Sequence, residues 1–174
     1  MSKLLVIVPI WNKEQFLENT IEGILQQTFT DFELVLIDDF SEDNSLQIAK
    51  SYEHLDNVTV LKNNENKGCY YTRNKGLDYF KDKPWDYFTI HDADDVSDLR
   101  RFQHFIDTFE SDPSLIYLKS TSINYDSKTN EPLLKEDGNP NIFTGEGTAF
   151  ISRKLFNTIG YFDNTRFSGD TDYM

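Results

Sequence analysis

The chain has 174 residues, a hydrophobic fraction of 38% and a net charge of −13, from 30 acidic and 17 basic residues. This length suffices for one domain with its own core, and the 14% aromatic content argues against a disordered chain. The negative field disfavours nucleic acid as a partner, and also a small polyanion unless a cation mediates its binding. The single cysteine, Cys69, excludes an intrachain disulfide.

The first part of the chain alternates predicted strands with predicted helices. Continuous apolar runs, typical of strands buried on both faces of a parallel sheet, occupy residues 4–9, 32–38, 58–63 and 86–92. Helical spacing and capping residues predict helices near residues 16–25, 45–52, 70–80 and 98–110. This alternation indicates an α/β fold with a doubly wound, mostly parallel sheet flanked by helices.

Two local details of these helices are predicted as well. Asn12 and Gln15 have the spacing of a capping box at the start of the first helix. In the fourth helix, apolar residues recur on one face and predict its buried side: Leu99, Phe102, Ile106 and Phe109.

The pattern changes after Asp112. Residues 116–126 are predicted to form a longer strand, residues 127–141 a polar loop or hairpin, and residues 147–152 a short strand. Ser152 and Gly160 have the residue types that begin and end a helix between them. The closing stretch "SGDTDY" predicts the start of another helix, so we expect the sequence to lack a C-terminal part.

Three carboxylates follow the fourth predicted strand within four residues: Asp92, Asp94 and Asp95. Hard divalent cations bind several carboxylate oxygens in one place, and such a cation offsets the repulsion among the acids. It would also allow an acidic chain to bind a nucleoside diphosphate. The alternative is a solvated helix start, where aspartates favour the helix dipole. Position at a strand end favours the metal, and His91 is predicted to lie in the core beside the cluster.

Other candidates follow the carboxyl ends of the strands, where ligands bind in such sheets. Trp11 can stack on a nucleobase or pack against the protein. Asp38 and Asp39 can bind a ribose or base, or cap the next helix. Arg73 can reach a base or phosphate, or lie on a solvated helix face. Asp170 suits either a general base or a helix cap.

Taken in order, several segments resemble the glycosyltransferases of family 2, which have the GT-A fold. They are "VIVPIWNKEQFLENTIEGILQQTFTDFELVLIDDFSEDNS", "NKG", "TRNKG", "DADD", "GTAFISRKLF", "GYFD" and "GDTDY". A D-x-D pair alone is common in unrelated proteins, whereas the P-x-W-N, "QTFTDFEL" and "IDDFS" segments are specific together. The resemblance implies a Rossmann-like GT-A sheet with a small mixed second sheet.

The resemblance also implies an inverting, metal-dependent transfer of a hexose or N-acetylhexosamine from a nucleotide sugar, usually a UDP-sugar, with Mn²⁺ or Mg²⁺. The implied nucleotide-binding residues are Pro9, Trp11, Asn12, Asp39, Lys67, Arg73 and Asp92. The implied metal ligands are Asp94, Asp92 and Asp95, and the implied donor-sugar and acceptor loop is Glu146, Gly147 and Thr148. Asp170 matches the family's general base. Asp172 is a second candidate, because the Glu that usually precedes the base is missing.

The same resemblance implies a glycan or glycolipid acceptor, a role in surface polysaccharide assembly and a cytoplasmic location. Association with the inner face of a membrane is expected through the missing C-terminal part. Residues 1–112 are expected to form the nucleotide-sugar-binding half of one domain, and residues 113–174 its acceptor-side half. Two alternatives are a glycosyltransferase domain that binds donor but is catalytically incomplete, and a receiver-type signalling domain.

Overall fold

The computed structural model describes residues 3–126, 129, 131–143 and 146–163. Its strands are β1 Leu4–Ile10, β2 Phe32–Asp38, β3 Val58–Lys62, β4 Tyr87–Ile90, β5 Tyr117–Lys119, β6 Ser122–Ile123, β7 Ile142–Phe143 and β8 Ala149–Ser152. Its helices are α1 Leu17–Leu25, α2 Ser45–Ser51, α3 Cys69–Tyr79, α4 Arg101–Ser111 and α5 Arg153–Ile159, and a 3₁₀ turn spans Glu146–Thr148. No helix within these ranges has the length and apolar character needed to cross a membrane.

Six strands form one mixed sheet in the order β3-β2-β1-β4-β8-β5. β1 pairs in parallel with β2 and β4, β2 pairs in parallel with β3, and β8 lies antiparallel to β4 and β5. The predicted α/β sheet flanked by helices is confirmed. Its strand order differs from the 2-1-3-4-5 order of receiver-type domains, which argues against that alternative.

Successive side chains of β1 enter hydrophobic cores on opposite faces of the sheet. Leu4 and Val6 pack in the core under α1, α2 and α4, which includes Phe102. Leu5 packs in the core under α3 and α5, which includes Leu77. Because both faces of β1 are covered, every residue from Leu4 to Val8 is inaccessible to solvent, and this explains the continuous apolar run.

The predicted capping box at Asn12 and Gln15 is wrong. Helix α1 begins at Leu17, and the preceding Phe16 makes no side-chain cap hydrogen bond. Asn12 instead has a left-handed backbone with φ 51°, and its side-chain oxygen accepts a hydrogen bond from the backbone N of Glu42 at 2.8 Å. The asparagine therefore holds the loop after β2, a long-range partner that local spacing does not reveal.

The prediction is confirmed for the fifth helix and only in part for the fourth. Leu99 lies before α4 and is half exposed, so its predicted burial is wrong, whereas the other three predicted residues are buried: Phe102, Ile106 and Phe109. Helix α5 begins as predicted, with the Ser152 hydroxyl accepting from the backbone N of Leu155 at 3.2 Å. It ends at Gly160, whose φ of 80° lies in the region that glycine adopts readily.

The single long strand predicted for residues 116–126 is broken into two. β5 ends at Lys119 in the main sheet, and the backbone N of Ser120 donates to the Thr148 oxygen at 3.1 Å. β6 then pairs with β7 in a separate two-stranded antiparallel sheet. Two isolated bridges, Tyr125–Pro132 and Leu134–Pro140, extend this two-stranded sheet into the region predicted as a loop or hairpin. A change of partner sheet, which no local pattern encodes, is the reason for the break.

Gly76 allows α3 to lie close to the sheet. A Cβ atom at this position would come within 2.8 Å of the Cδ1 atom of Ile37 and 3.1 Å of the Cγ2 atom of Ile7. A Cβ atom at Gly23 of α1 would meet no atom within 4 Å.

We expect Gly76→Val to lower the free energy of unfolding by about 1–3 kcal/mol, because the added carbons overpack the space between α3 and the sheet. The matched control, Gly23→Val, should change it by less than about 0.5 kcal/mol, since the space there is open. Urea denaturation followed by circular dichroism measures both variants. Equal destabilisation of the two would contradict the role given to Gly76.

Candidate active site

The chain runs from β1 through β2 to β3 toward one edge of the sheet, whereas β4 pairs with the other side of β1, so the strand order reverses at the β1–β4 pair. Ligands of doubly wound sheets bind in the crevice at such a point. Pro9, the penultimate residue of β1, lies partly exposed at this edge.

Asp38 ends β2 and is buried, with both carboxylate oxygens 3.3 Å from the backbone N of Ser41. Asp38 therefore supports the turn after β2 but does not cap the next helix as predicted, because α2 begins only at Ser45.

The loops that follow β1 and β2 hold each other in place. The backbone N of Asn12 donates to the Ser41 hydroxyl at 3.0 Å, and that of Lys13 donates to the Ser45 hydroxyl at 2.8 Å. Trp11 is carried on this fixed loop, and 55% of its surface is exposed. Its large exposed ring on an anchored backbone fits a stacking surface for a planar ligand better than it fits core packing.

Asp39 is buried, and its carboxylate organises the loop that precedes α3. Oδ1 accepts hydrogen bonds from Asn63 Nδ2 at 2.7 Å and from the backbone N of Lys67 at 2.8 Å. Oδ2 accepts from the backbone N of Gly68 at 2.8 Å. A carboxylate has about four lone-pair positions, so these three bonds leave room for about one further donor. Base recognition by Asp39 stays a prediction. The hydrogen bonds with which it holds the loop before α3 are a structural role that the sequence did not predict.

Arg73 is a buried cation of α3, with 6% of its surface exposed. Its guanidinium carbon lies 5.1 Å from the ring centre of Tyr70 and 6.0 Å from that of Phe162, and Nη2 is 3.4 Å from Asp92 Oδ1. The Asn74 side chain holds Phe162 against α3 through two hydrogen bonds to its backbone, of 2.7 and 2.9 Å. The predicted alternative of a solvated helix face is therefore wrong for Arg73.

The acidic turn, which we define as Asp92, Asp94 and Asp95, is partly neutralised by the chain itself. Three cations from three other segments face it: Lys13 beside Asp94 with Nζ and Oδ2 2.5 Å apart, Arg73 beside Asp92, and Arg101, whose charge interacts with Asp95 and Asp92. Neutralisation is incomplete at Asp95. Loss of hydration and then the charges of Asp92 and Asp94 raise the pKa of this carboxyl to about 6.

A chain of partly buried hydrogen bonds supports the acidic turn. His91 Nδ1 lies 2.9 Å from the Asp92 carbonyl oxygen, which can only accept, so Nδ1 carries the proton. Nε2 then accepts from the Ser97 hydroxyl at 2.8 Å, and the same hydroxyl accepts from Arg101 Nη1 at 3.0 Å. Burial and then the Arg101 charge lower the pKa of His91 to about 4, so the ring is neutral near pH 7. His91 is confirmed as a core residue.

The 3₁₀ turn lies directly against the acidic turn. The carbonyl oxygen of Gly147 accepts a hydrogen bond from Arg101 Nη2 at 2.7 Å. A Cβ atom at Gly147 would come within 2.6 Å of Asp92 Oδ2, so only glycine allows this close approach without displacing that carboxylate. Thr148 is buried in the same turn, and Glu146 begins it. The predicted donor-sugar loop is therefore adjacent to the predicted metal ligands.

Two predicted residues cannot be placed, and three others were not predicted. Asp170 and Asp172, the candidate bases, lie outside the described residues. Lys13, Ser97 and Arg101 contact the acidic turn or its support, yet the sequence analysis did not single them out. Ser97 and Arg101 follow the acidic turn within six residues, and this proximity was an available signal. For Lys13 no local signal exists, because its partner is 81 positions away.

A sequence model of the family described as glycosyl transferase family 2 matches residues 5–172, which is nearly the whole chain. The chain belongs to glycosyl transferase family 2. The resemblance seen in separate motifs thus extends across both halves of the sequence.

Curated relatives match mainly over one part of the chain. Glycosyltransferase GlyG of Streptococcus pneumoniae is 42% identical over 69 residues, which are 39% of this chain and 23% of that protein. Poly(ribitol-phosphate) beta-N-acetylglucosaminyltransferase TarP of Staphylococcus aureus is 43% identical over 68 residues, 37% of this chain and 21% of that protein. The matched segments thus span about a quarter or less of these relatives.

Solved structures match over a larger part. S. aureus TarS, residues 1–349 in complex with UDP, has a TM-score of 0.73 at 21% identity, over 97% of this chain and 52% of that one. The mannosyltransferase PcManGT from Pyrobaculum calidifontis, in complex with GDP-Man and Mn²⁺, has a TM-score of 0.66 at 18% identity, over 92% and 47%. These likenesses show that this family 2 chain has the GT-A fold. It spans about half the length of the solved relatives.

The acidic turn is suited to a shared metal ion rather than an enclosed one. Within the described part of the chain, no three His, Cys, Asp or Glu side chains are arranged to hold a metal by themselves. The Asp92 and Asp94 side chains are nevertheless 43% and 39% exposed at the open edge of the sheet, and carboxylate oxygens are ligands that Mg²⁺ and Mn²⁺ prefer. The residues present fit a cation whose other ligands come from a bound diphosphate and water.

Arg101→Met should lower the free energy of unfolding by about 1–3 kcal/mol, because it leaves partly buried acceptors at Ser97 and Gly147 without their donor. Arg100→Met is the matched control, since this neighbouring arginine is exposed and the change should cost less than about 0.5 kcal/mol. Thermal or urea unfolding of both variants measures the difference. Indistinguishable stabilities would show that the Arg101 contacts do not hold the site together.

Asp95 and His91 make opposite contributions to stability between pH 4 and 6. The pKa of Asp95 is raised above its unfolded value, so folding becomes less favourable as pH rises through this window. The pKa of His91 is lowered, so folding becomes more favourable as pH rises. We expect the unfolding free energy of Asp95→Asn to rise more steeply between pH 4 and 6 than that of the unchanged chain. Urea unfolding at several pH values measures the slopes, and equal slopes would contradict the raised pKa.

Proposed function

We propose that this chain is the catalytic domain of an inverting glycosyltransferase that moves a sugar from a nucleoside-diphosphate sugar to an acceptor hydroxyl. The proposed donor is a UDP-sugar carrying a hexose or N-acetylhexosamine, and the proposed cofactor is Mn²⁺ or Mg²⁺. Membership of glycosyl transferase family 2 supports sugar transfer as the reaction class. TarS has been solved in complex with UDP-GlcNAc and PcManGT in complex with GDP-Man, which supports a nucleotide-sugar donor.

One observation carries the proposal: the acidic turn lies beside the topological reversal of the sheet, together with an anchored, exposed Trp11. An aromatic platform and a cluster of carboxylates at one edge suit the two ends of a nucleoside diphosphate. The indole would stack on the base, and the carboxylates would bind the phosphates through a divalent cation.

We propose supporting roles for the other predicted residues around Trp11 and the acidic turn. We propose that Pro9 and Asn12 shape the base pocket with Trp11, and that Asp39 and Lys67 border it from the loop before α3. Arg73 would act near Asp92, as a buried positive charge toward the nucleotide. Asp92 would lie toward the ribose or the cation, Asp94 would be the main metal ligand, and Asp95 would add charge.

The reaction itself needs a proton acceptor and a stabilised leaving group. In the proposed step, the acceptor oxygen loses its proton to Asp170 or Asp172 and forms a bond to the anomeric carbon. The bond from that carbon to the diphosphate breaks on the opposite face, so the configuration inverts and the nucleoside diphosphate leaves. A bound divalent cation supplies positive charge to the departing diphosphate, and no protonated acid is then required at that oxygen.

We further propose a single domain with two functional halves. Residues 1–112 would bind the donor, and residues 113–174 would form the acceptor side. Strands β8 and β5 extend the same sheet beyond β4, and Gly147 touches Asp92, which supports one continuous unit. Similarity to the poly(ribitol-phosphate) beta-N-acetylglucosaminyltransferase TarP and to the minor teichoic acid biosynthesis protein GgaA of Bacillus subtilis supports a cell-surface glycan or glycolipid acceptor.

Calorimetric titration with UDP tests the donor and metal assignments together. We expect binding in Mn²⁺ that weakens about tenfold or more in EDTA, a change equivalent to about 1.4 kcal/mol or more. Asp94→Asn should lose the gain from Mn²⁺, because it removes the charge of the main ligand. Titration with GDP in place of UDP tests whether the site prefers uracil as the nucleobase.

Asp107→Asn is the control, since it removes one negative charge from an exposed position of α4 away from the acidic turn. It should bind UDP as the unchanged chain does. Unchanged Mn²⁺-dependent affinity in Asp94→Asn would show that Asp94 is not the ligand. Absence of nucleotide binding under every condition would refute the proposed donor.

A further inference from the structure

The three cations that face the acidic turn differ in how firmly they are held. Arg73 is buried between two aromatic rings, and its helix also binds the backbone of Phe162. Arg101 lies 5.1 Å from the ring centre of Phe150 and donates hydrogen bonds to Ser97 and Gly147. Moving either guanidinium would break buried contacts, so both arginines are fixed counter-charges.

Lys13 is held differently. Its backbone N is anchored by the Ser45 hydroxyl, but its side chain extends across the open edge of the sheet to Asp94. The side chains of this pair are 35% and 39% exposed. A lysine ammonium on a flexible four-carbon stem in contact with water can leave a carboxylate at low cost. The backbone of Lys13 is therefore fixed, while its ammonium group is free to leave Asp94 for water.

A divalent cation at Asp94 competes with that ammonium. Lys13 Nζ lies 2.5 Å from Oδ2 of the carboxylate that is the proposed main ligand, so a metal ion bound there would take its place. Two positive centres at the same oxygens would also repel each other strongly. Binding of the metal thus requires the lysine to swing away from the acidic turn.

We propose that Lys13 is an exchangeable internal counter-ion, which neutralises Asp94 when no divalent cation is bound and is displaced when one binds. This inference rests on the proposed function, because it takes Asp94 as a metal ligand. It makes Lys13 a residue that sets metal affinity: the ion pair keeps the acidic turn partly neutral without a metal, and every metal-binding event must first break it.

Binding of Mn²⁺ at a fixed, saturating concentration of UDP tests the proposal through the electron paramagnetic resonance signal of free Mn²⁺, because the acidic turn would share its cation with a diphosphate. We expect Lys13→Met to bind Mn²⁺ about two- to fivefold more tightly than the unchanged chain, the range expected for loss of one exposed ion pair. Lys13→Arg should bind no more tightly than the unchanged chain, because it keeps the competing charge.

Lys3→Met is the matched control for net charge. Lys3 precedes β1 at the opposite end of the strand, where it pairs with Glu33 at 2.8 Å, so its removal should leave Mn²⁺ affinity unchanged at physiological salt. Equal Mn²⁺ affinities of Lys13→Met and the unchanged chain would overturn the role proposed for Lys13 and leave the proposed metal site standing. Equal Mn²⁺ binding by Asp94→Asn, or no Mn²⁺ binding by any variant with or without UDP, would overturn the proposed metal site and this inference with it.

Discussion

Charge balance at the acidic turn is the constraint on which the rest of the site depends. Three carboxylates at the end of a core strand repel one another, and the structure offsets this with positive charges from the β1–α1 loop, α3 and α4. Burial, and then the charges of Asp92 and Asp94, still raise the pKa of Asp95. Under the proposed function, this acidic site would attract a divalent cation, and through that cation it would bind a phosphorylated ligand.

At this edge of the sheet, some residues are buried and hold the loops in place, whereas others are exposed and accessible to a ligand. Asp39 and His91 are buried and hold backbone with their side chains, so the loops around the site are shaped before any ligand arrives. Trp11 and Asp94 project from these supported loops and stay accessible. Such preorganisation reduces the entropy that a ligand must remove when it binds.

Sequence patterns predicted the parts of this architecture that are local. Apolar runs located the strands, and strand ends located the acidic turn and Trp11, because burial on both faces leaves a clear periodic signal. Contacts between distant segments leave no local pattern: Asn12 has the spacing of a helix cap but binds Glu42, and the Lys13–Asp94 pair joins residues 81 positions apart. The break after Lys119 was missed for a similar reason, since a strand that changes sheets keeps its local propensity.

Gly147 lies so close to the Asp92 carboxylate that its missing side chain has a consequence for the acidic turn. A side chain at residue 147 and a carboxylate oxygen of Asp92 would compete for the same volume. A larger residue at position 147 is therefore accommodated only if the Asp92 carboxylate turns away from its present position. The position of that carboxylate thus depends on a glycine that lies far away in the sequence.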